Sequence, residues 1–183
     1  EVVLPAGTAF TPAAAGLLAA VGRSTARLTP PPRVAVLATG NELVEPDAAP
    51  GPGQIRNSNG PMLVAQAARA GGFPHYLGIA RDDPADLRAL LDKGLTESHV
   101  LLVAGGASVG DFDLVPPALT SLGVTAHFHK VRMKPGKPLL FGTRGDALVF
   151  GLPGNPVSAF VCFELFVRPA LRALGGHRDP GPA

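Results

Sequence analysis

The chain has no tryptophan, one tyrosine, one cysteine and only four lysines among its 183 residues. Each scarcity excludes something. Aromatic residues make up 5%, so no platform for stacking nucleobases is evident. A formal charge of +2 is too small an excess to argue for nucleic acid as a partner. The single cysteine, Cys162, rules out a disulfide within the chain and any metal-thiolate set. It reads as a small buried hydrophobe and fits a reducing cytoplasm. No segment reaches about 20 uninterrupted apolar residues, so no membrane span is expected. The run from Val157 to Val167 is too short and carries Glu164. No basic segment of signal-peptide type opens the chain. Its first residue is Glu1, and Glu1 to Leu4 reads like a strand entered midway, as in a piece of a longer protein.

What is present is a hydrophobic share of 46% against 16% charged residues, enough for one sizeable domain with a true core. Three of the four lysines, Lys130, Lys134 and Lys137, fall within eight residues, around Pro135, Gly136 and Pro138. Elsewhere, Lys93 apart, the long basic residue is arginine. A lysine is a compact point charge with three donors, well suited to an oxyanion. The stretch from Lys130 to Pro138 therefore reads as an anion clamp on a tight turn, with a solvated basic hairpin as the alternative.

Periodicity sorts the chain into strands and helices. Residues 1–30 form a lead-in whose Thr11 caps a helix starting at Pro12 and reaching about Val21. The proline-rich break from Thr29 to Pro32 marks a domain boundary, so the division is 1–30, 31–174 and a tail or linker at 175–183. Apolar runs of strand length occur at 34–38, 75–80, 100–104 and 124–131. Helical patterns follow at 60–70, 84–94 and 114–122. A hairpin is expected from 139–141 and 147–150, then a helix from Pro156 to about Ala173, kinked at Pro169. Buried strands alternating with amphipathic helices predict an α/β fold of three layers, a mostly parallel sheet covered by helices on both faces. In such sheets ligands bind beyond the carboxyl ends of the strands.

Polar and glycine-rich loops gather at those ends. Thr39, Gly40, Asn41 and Glu42 follow the first core strand and suit a ligand rim; Glu42 is either catalytic or a loop charge. The loop from Gly40 to Asn57 is long for a compact domain, which favours function. Asp83 explains itself as the cap before Pro84, whereas Asp82 has no evident structural task and is read as functional. Gly105, Gly106, Ala107, Ser108, Val109 and Gly110 join a buried strand to a helix, which suits phosphate, with an ordinary tight turn as the alternative. Asp113 is either that helix's cap or a carboxylate facing the loop's guest. Gly154, Asn155, Pro156 and Ser158 form a sharp helix entry that offers a second possible anion site. His127 and His129 share a strand face, but no third ligand is signalled and no metal site is read there.

Taken together these loops resemble one family, the molybdopterin-binding domain of MoeA-type molybdopterin molybdenumtransferases, also found in gephyrin. The resemblance rests on Thr39-Gly40-Asn41-Glu42-Leu43, Gly53-Gln54-Ile55, Asn59, Arg81-Asp82-Asp83, Gly105 to Gly110, Asp113, Lys134 to Pro138 and Gly151 to Ser158. Asn41 stands where the family usually has aspartate. The resemblance implies a MoaB/MogA-like molybdopterin-binding fold and insertion of molybdate into adenylated molybdopterin with release of AMP. It implies Glu42, Asp82, Asp113, Lys130 and Lys134 as catalytic residues. Thr39, Gly40, Gly105, Gly106, Ser108, Gly110, Pro135, Gly136, Lys137, Pro138, Gly154, Asn155, Pro156 and Ser158 would line the site. Asp82 and Asp113 are weak candidates for Mg2+. The family also implies a cytoplasmic homodimer whose site a partner subunit completes, so the 183 residues alone are expected to turn over poorly. Adenylyl transfer to molybdopterin, and a non-catalytic scaffold role, are the alternatives.

Overall fold

A computed structural model describes residues 2–105, 114–177 and 181. Helix α1 (Pro12–Ala20) opens on Thr11, whose hydroxyl accepts the Ala14 N–H at 3.2 Å. Strand β1 (Arg33–Thr39) is buried at every residue after Arg33. The long loop that follows contains a small parallel pair, β2 (Leu43–Val44) and β3 (Ile55–Arg56), which the sequence did not announce. Two residues per strand, only one of them apolar in β3, carry no period. The pair forms because Ile55 N–H reaches the Glu42 carbonyl at 2.7 Å and Asn57 N–H the Val44 carbonyl at 2.9 Å.

Next come α2 (Asn59–Arg69), β4 (Phe73–Ala80), α3 (Pro84–Glu97) and β5 (Val100–Ala104). After them lie α4 (Val115–Ser121), β6 (Thr125–His129), β7 (Leu140–Arg144) and β8 (Ala147–Leu152). Asp83 caps α3 as expected, accepting from the N–H groups of Ala85 and Asp86. Strand β6 stops two residues short of the expected Val131. Lys130 adopts φ +82, a region L-residues rarely enter, and there the chain leaves the sheet.

The last helical stretch is not one helix with a proline kink. It runs as α5 (Pro156–Cys162), a π-helical turn over Phe163–Val167, and α6 (Arg168–Leu174). Pro169 sits in the first turn of α6, where its missing N–H leaves no vacant bond. The interruption is the wider π turn before it, which swings Glu164 toward α2. There Glu164 accepts from Gln66 at 2.9 Å and Arg69 at 2.7 Å.

The six-stranded sheet has the order β4-β1-β5-β8-β7-β6. Strands β4, β1, β5 and β8 are parallel neighbours, while β7 is antiparallel to both β8 and β6. Alternate residues of the parallel strands feed two cores. Val34, Val36, Leu102, Phe150 and Leu152 pack with Leu63 of α2 and Ala159, Cys162 and Phe163 behind β8. Ala35, Leu37, Leu101, Val103 and Val149 pack on the other face with Leu87 and Leu91 of α3 and Leu119 of α4. The expected three-layer α/β fold is what forms.

Two antiparallel reversals return β6 to the direction of β8. Register places Leu37, Val103, Gly151, Leu140 and His129 in one row across the sheet. The chain therefore leaves β1, β4, β5, β8 and β6 at a single edge of the sheet.

Candidate functional site

That edge carries the site. At its β4–β1 end, Thr39, Gly40, Glu42, Arg81, Asp82, Leu87, Leu114 and Val115 line a recess of about 130 Å³. Thr39 is 6% exposed, the only buried polar residue among those named here, and its hydroxyl has no partner among the described residues. Gly40 has φ +136, and a Cβ there would collide with the Glu42 carboxylate, which folds back over it. The positive φ is what restricts position 40, since the Glu42 carboxylate is the free end of a flexible side chain.

Asp82 proves to have a structural partner. Its Oδ2 accepts the Asn41 N–H at 3.2 Å, and the Asp82 N–H donates to Asn41 Oδ1 at 3.1 Å. Two residues 41 apart in sequence clasp the ends of β1 and β4, so Asp82 has a structural task and also lines the recess. Arg81, to which the sequence reading assigned no role, donates to the Leu43 carbonyl at 3.3 Å and closes the recess from the side.

The loop bearing Glu42 is anchored by a polar chain. Tyr76 donates to Glu45 at 3.0 Å and accepts from Asn57 Nδ2 at 2.6 Å, while Asn57 Oδ1 caps α2 by accepting the Gly60 N–H at 3.0 Å. Burial first, then the Glu45 carboxylate as acceptor and as charge, push the Tyr76 phenol well above its ordinary range. A proton held more tightly in the folded state stabilises the fold below the unfolded value of about 10 and ceases to do so as pH rises beyond it. Tyr76→Phe is expected to cost about 1–2 kcal/mol at pH 7, the net worth of the lost hydrogen bonds. The variant should also lose less stability than the parent between about pH 9 and about pH 10.5; urea unfolding at the three pH values checks both.

At the middle of the edge, β5 and β8 end on glycines. Gly105 has φ +91, and a Cβ on it would lie 2.8 Å from the Thr39 carbonyl. A Cβ on Gly154 would lie 3.8 Å from the Gly105 Cα, so the two strand ends meet closely. Gly106, Ser108, Gly110 and Asp113, expected to form the phosphate loop and its carboxylate, lie outside the described residues.

At the entry to α5, capping uses some of the donors that a possible anion site would share. Asn155 caps as expected, but in doing so its Oδ1 takes the Ser158 N–H at 3.2 Å. Ala159 N–H bonds the Asn155 carbonyl at 2.9 Å, and Pro156 has no N–H. A good cap satisfies the donors a ligand would need. Ser158 is half-buried behind Asn155, while Gly154, Asn155 and Pro156 are exposed at the rim.

The lysine bend leaves the same edge from β6. It is stitched by Lys130 N–H to the Leu139 carbonyl at 2.8 Å and Val131 N–H to the Lys137 carbonyl at 2.9 Å. Lys130, Lys134 and Lys137 are exposed and make no ion pair with any described residue. Pro135 is exposed and Pro138 half-buried, and the Lys134–Pro135 peptide is cis. Gly136 is buried at φ +108 against Cys162, whose thiol donates to the Gly136 carbonyl at 3.6 Å. A Cβ there would sit 2.7 Å from the Cys162 sulfur and 2.9 Å from Met133 Cε. Cys162 is buried as read from sequence, and that burial raises its thiol to about 11. The bend is thus folded inward onto α5, toward β8.

Five strand intervals separate β4 from β6, a span of about 24 Å at ordinary spacing. Acidic groups stand at one end, ammonium groups without an ion pair among the described residues at the other, and the Gly105–Gly154 contact lies between. His127 bonds Thr143 at 2.8 Å, and among the described residues no three His, Cys, Asp or Glu side chains surround a common point.

Comparison with known proteins bears on this arrangement. A family model described as a probable molybdopterin binding domain matches residues 35–173. A Bacillus subtilis protein named molybdopterin molybdenumtransferase is 40% identical over 172 residues, covering 94% of this chain and 40% of the relative. A Mycobacterium tuberculosis molybdopterin molybdenumtransferase 2 is 39% identical, covering 97% of this chain and 45% of its own length. The crystal structure of a molybdopterin biosynthesis MoeA protein from Pyrococcus horikoshii superposes with a TM-score of 0.82 at 36% identity, over 93% of this chain and 42% of that one. A MoaB structure from Thermus thermophilus shares the fold at a TM-score of 0.56 and 22% identity, over 81% of this chain and 99% of its own. The chain spans about two fifths of the length of the first two of these relatives.

Proposed function

This chain belongs to the molybdopterin-binding-domain family, and from that premise we propose that it is the substrate-binding part of a molybdopterin molybdenumtransferase. Its substrates are adenylated molybdopterin and molybdate; its products are the molybdenum-loaded cofactor and AMP. The observation that carries this reading is the single sheet edge holding Glu42 and Asp82 at one end and Lys130, Lys134 and Lys137 at the other. A compact anion needs only one such end. An elongated guest with a hydrogen-bonding heterocycle and a phosphoanhydride needs both.

In this reading Lys134 and Lys137, unpaired and mobile on long stems, hold oxyanions and meet the negative charge that develops as the phosphoanhydride breaks. Glu42 and Asp82 accept from the donors of the guest and orient water. Mg2+ belongs to the proposal as well. It ordinarily takes one or two carboxylates and completes its shell with phosphate and water. Asp82 fits such a role, since the Asn41 N–H engages only one of its oxygens. Asp113 is the second candidate, and a bound ion would neutralise phosphate charge.

We read residues 31–174 as the binding domain, 1–30 as part of a preceding unit and 175–183 as a linker. The working protein is a cytoplasmic homodimer in which a partner subunit completes the site. No helix among the described residues is long and apolar enough to cross a membrane. The test supplies adenylated molybdopterin and molybdate to the 183-residue chain and to the full-length protein. Molybdate-dependent AMP release by the full-length protein, slow with the chain alone, is the expected result. AMP-forming consumption of ATP with metal-free molybdopterin would identify an adenylyltransferase instead, and binding of both substrates without turnover a scaffold.

A further inference from the structure

Two asparagines sit side by side at the start of α2, and they differ in a telling way. Asn57 is 2% exposed and both ends of its amide are partnered, by Tyr76 and by the Gly60 N–H. Asn59 is 9% exposed, and only its Nδ2 is engaged, donating to the Gly154 carbonyl at 2.8 Å. Its Oδ1 is buried without a partner. An orphaned buried acceptor opposes folding; Gln66 of the same helix also has one, but its Nε2 is spent on Glu164 and Phe160 in the packing of α2. Asn59 keeps the orphan and the single bond. That bond reaches 95 residues along the chain to the glycine that meets Gly105 between the ends of β5 and β8. Gly154 itself is exposed and has no side chain to hold it in place.

We propose that Asn59 is a positioning residue of the site: through its bond to Gly154 it fixes the backbone that meets Gly105 between the ends of β5 and β8, past which the guest must lie. The inference rests on the function proposed above and deepens it. A nucleotide or pterin phosphate that crosses this meeting point depends on Asn59; a free oxyanion bound at the lysine bend does not. The polarity of Asn59 is kept for binding and not for stability.

The test uses two variants that both delete the donor. Asn59→Leu also removes the orphaned acceptor, whereas Asn59→Asp keeps an acceptor and faces it toward the Gly154 carbonyl. AMP and molybdate are titrated separately by calorimetry, and each variant is melted. Both variants are expected to bind AMP at least tenfold more weakly, on the order of one hydrogen-bonded contact, and molybdate unchanged within about twofold. Asn59→Leu should melt at or above the parent temperature and Asn59→Asp below it. If AMP affinity is retained in both, or falls only in the variant that melts lower, Asn59 is a structural tie and the inference is overturned. The titrations use the full-length protein, and if its parent form binds neither AMP nor molybdate, the proposed function falls and takes this inference with it.

Discussion

Lys134→Ala in the full-length protein is expected to reduce molybdenum insertion by about a hundredfold or more, the usual cost of removing one preorganised group that stabilises transition-state charge. The melting temperature should stay close to that of the parent. Lys134 is exposed, and no described carboxylate pairs with it, so the fold loses neither packing nor an ion pair. A cationic side chain left unpaired on a bend whose next glycine is pinned to a helix is poor design for stability and good design for binding. Lys134→Arg should recover only part of the activity, because a planar fork does not occupy the place of a compact ammonium. Turnover of adenylated molybdopterin with molybdate, measured beside thermal unfolding, decides the matter. Full activity in Lys134→Ala would remove the lysine bend from the mechanism.

Gly105→Ala is the second large effect, and it acts through the backbone. Gly105 holds φ +91, and its new Cβ would lie 2.8 Å from the Thr39 carbonyl, a backbone atom unable to swing aside. The left-handed conformation costs roughly 1–2 kcal/mol for any L-residue, and the clash brings the expected loss to about 2–4 kcal/mol. Gly53 is the control. It has φ +74, but nothing lies within 4 Å of its Cβ position, so Gly53→Ala should show only the conformational part. Urea midpoints of the two variants separate strain from collision. Equal losses would mean that β1 and β5 do not approach as described. Because Thr39 lines the recess, Gly105→Ala is also expected to weaken ligand binding at β1, which Gly53→Ala should not.

Much of this was legible along the chain. Thr11, Asp83 and Asn155 announced helix starts through the pairing of a short polar acceptor with a following proline or free N–H, and all three cap as read. The buried strands were visible as apolar runs because both faces of a parallel sheet are covered. The glycines at 40, 105 and 136 stood out by company, and each has a positive φ with a crowded Cβ position. What escaped had no local period. The β2–β3 pair is two residues long on each side. The π turn replaced a kink assigned to Pro169.

Residue order alone was enough for the class of fold and the list of polar residues at the loop ends, since these follow from short-range patterns of hydrophobicity, turn chemistry and charge; the family came from the resemblance of its motifs. Folding decided how that list divides. It set the carboxylates and the lysines at opposite ends of one edge, gave Asp82 its clasp on Asn41, and tied Asn59 to a glycine 95 residues away. Such pairings depend on which strands become neighbours, and neighbours in a crossover sheet are far apart along the chain.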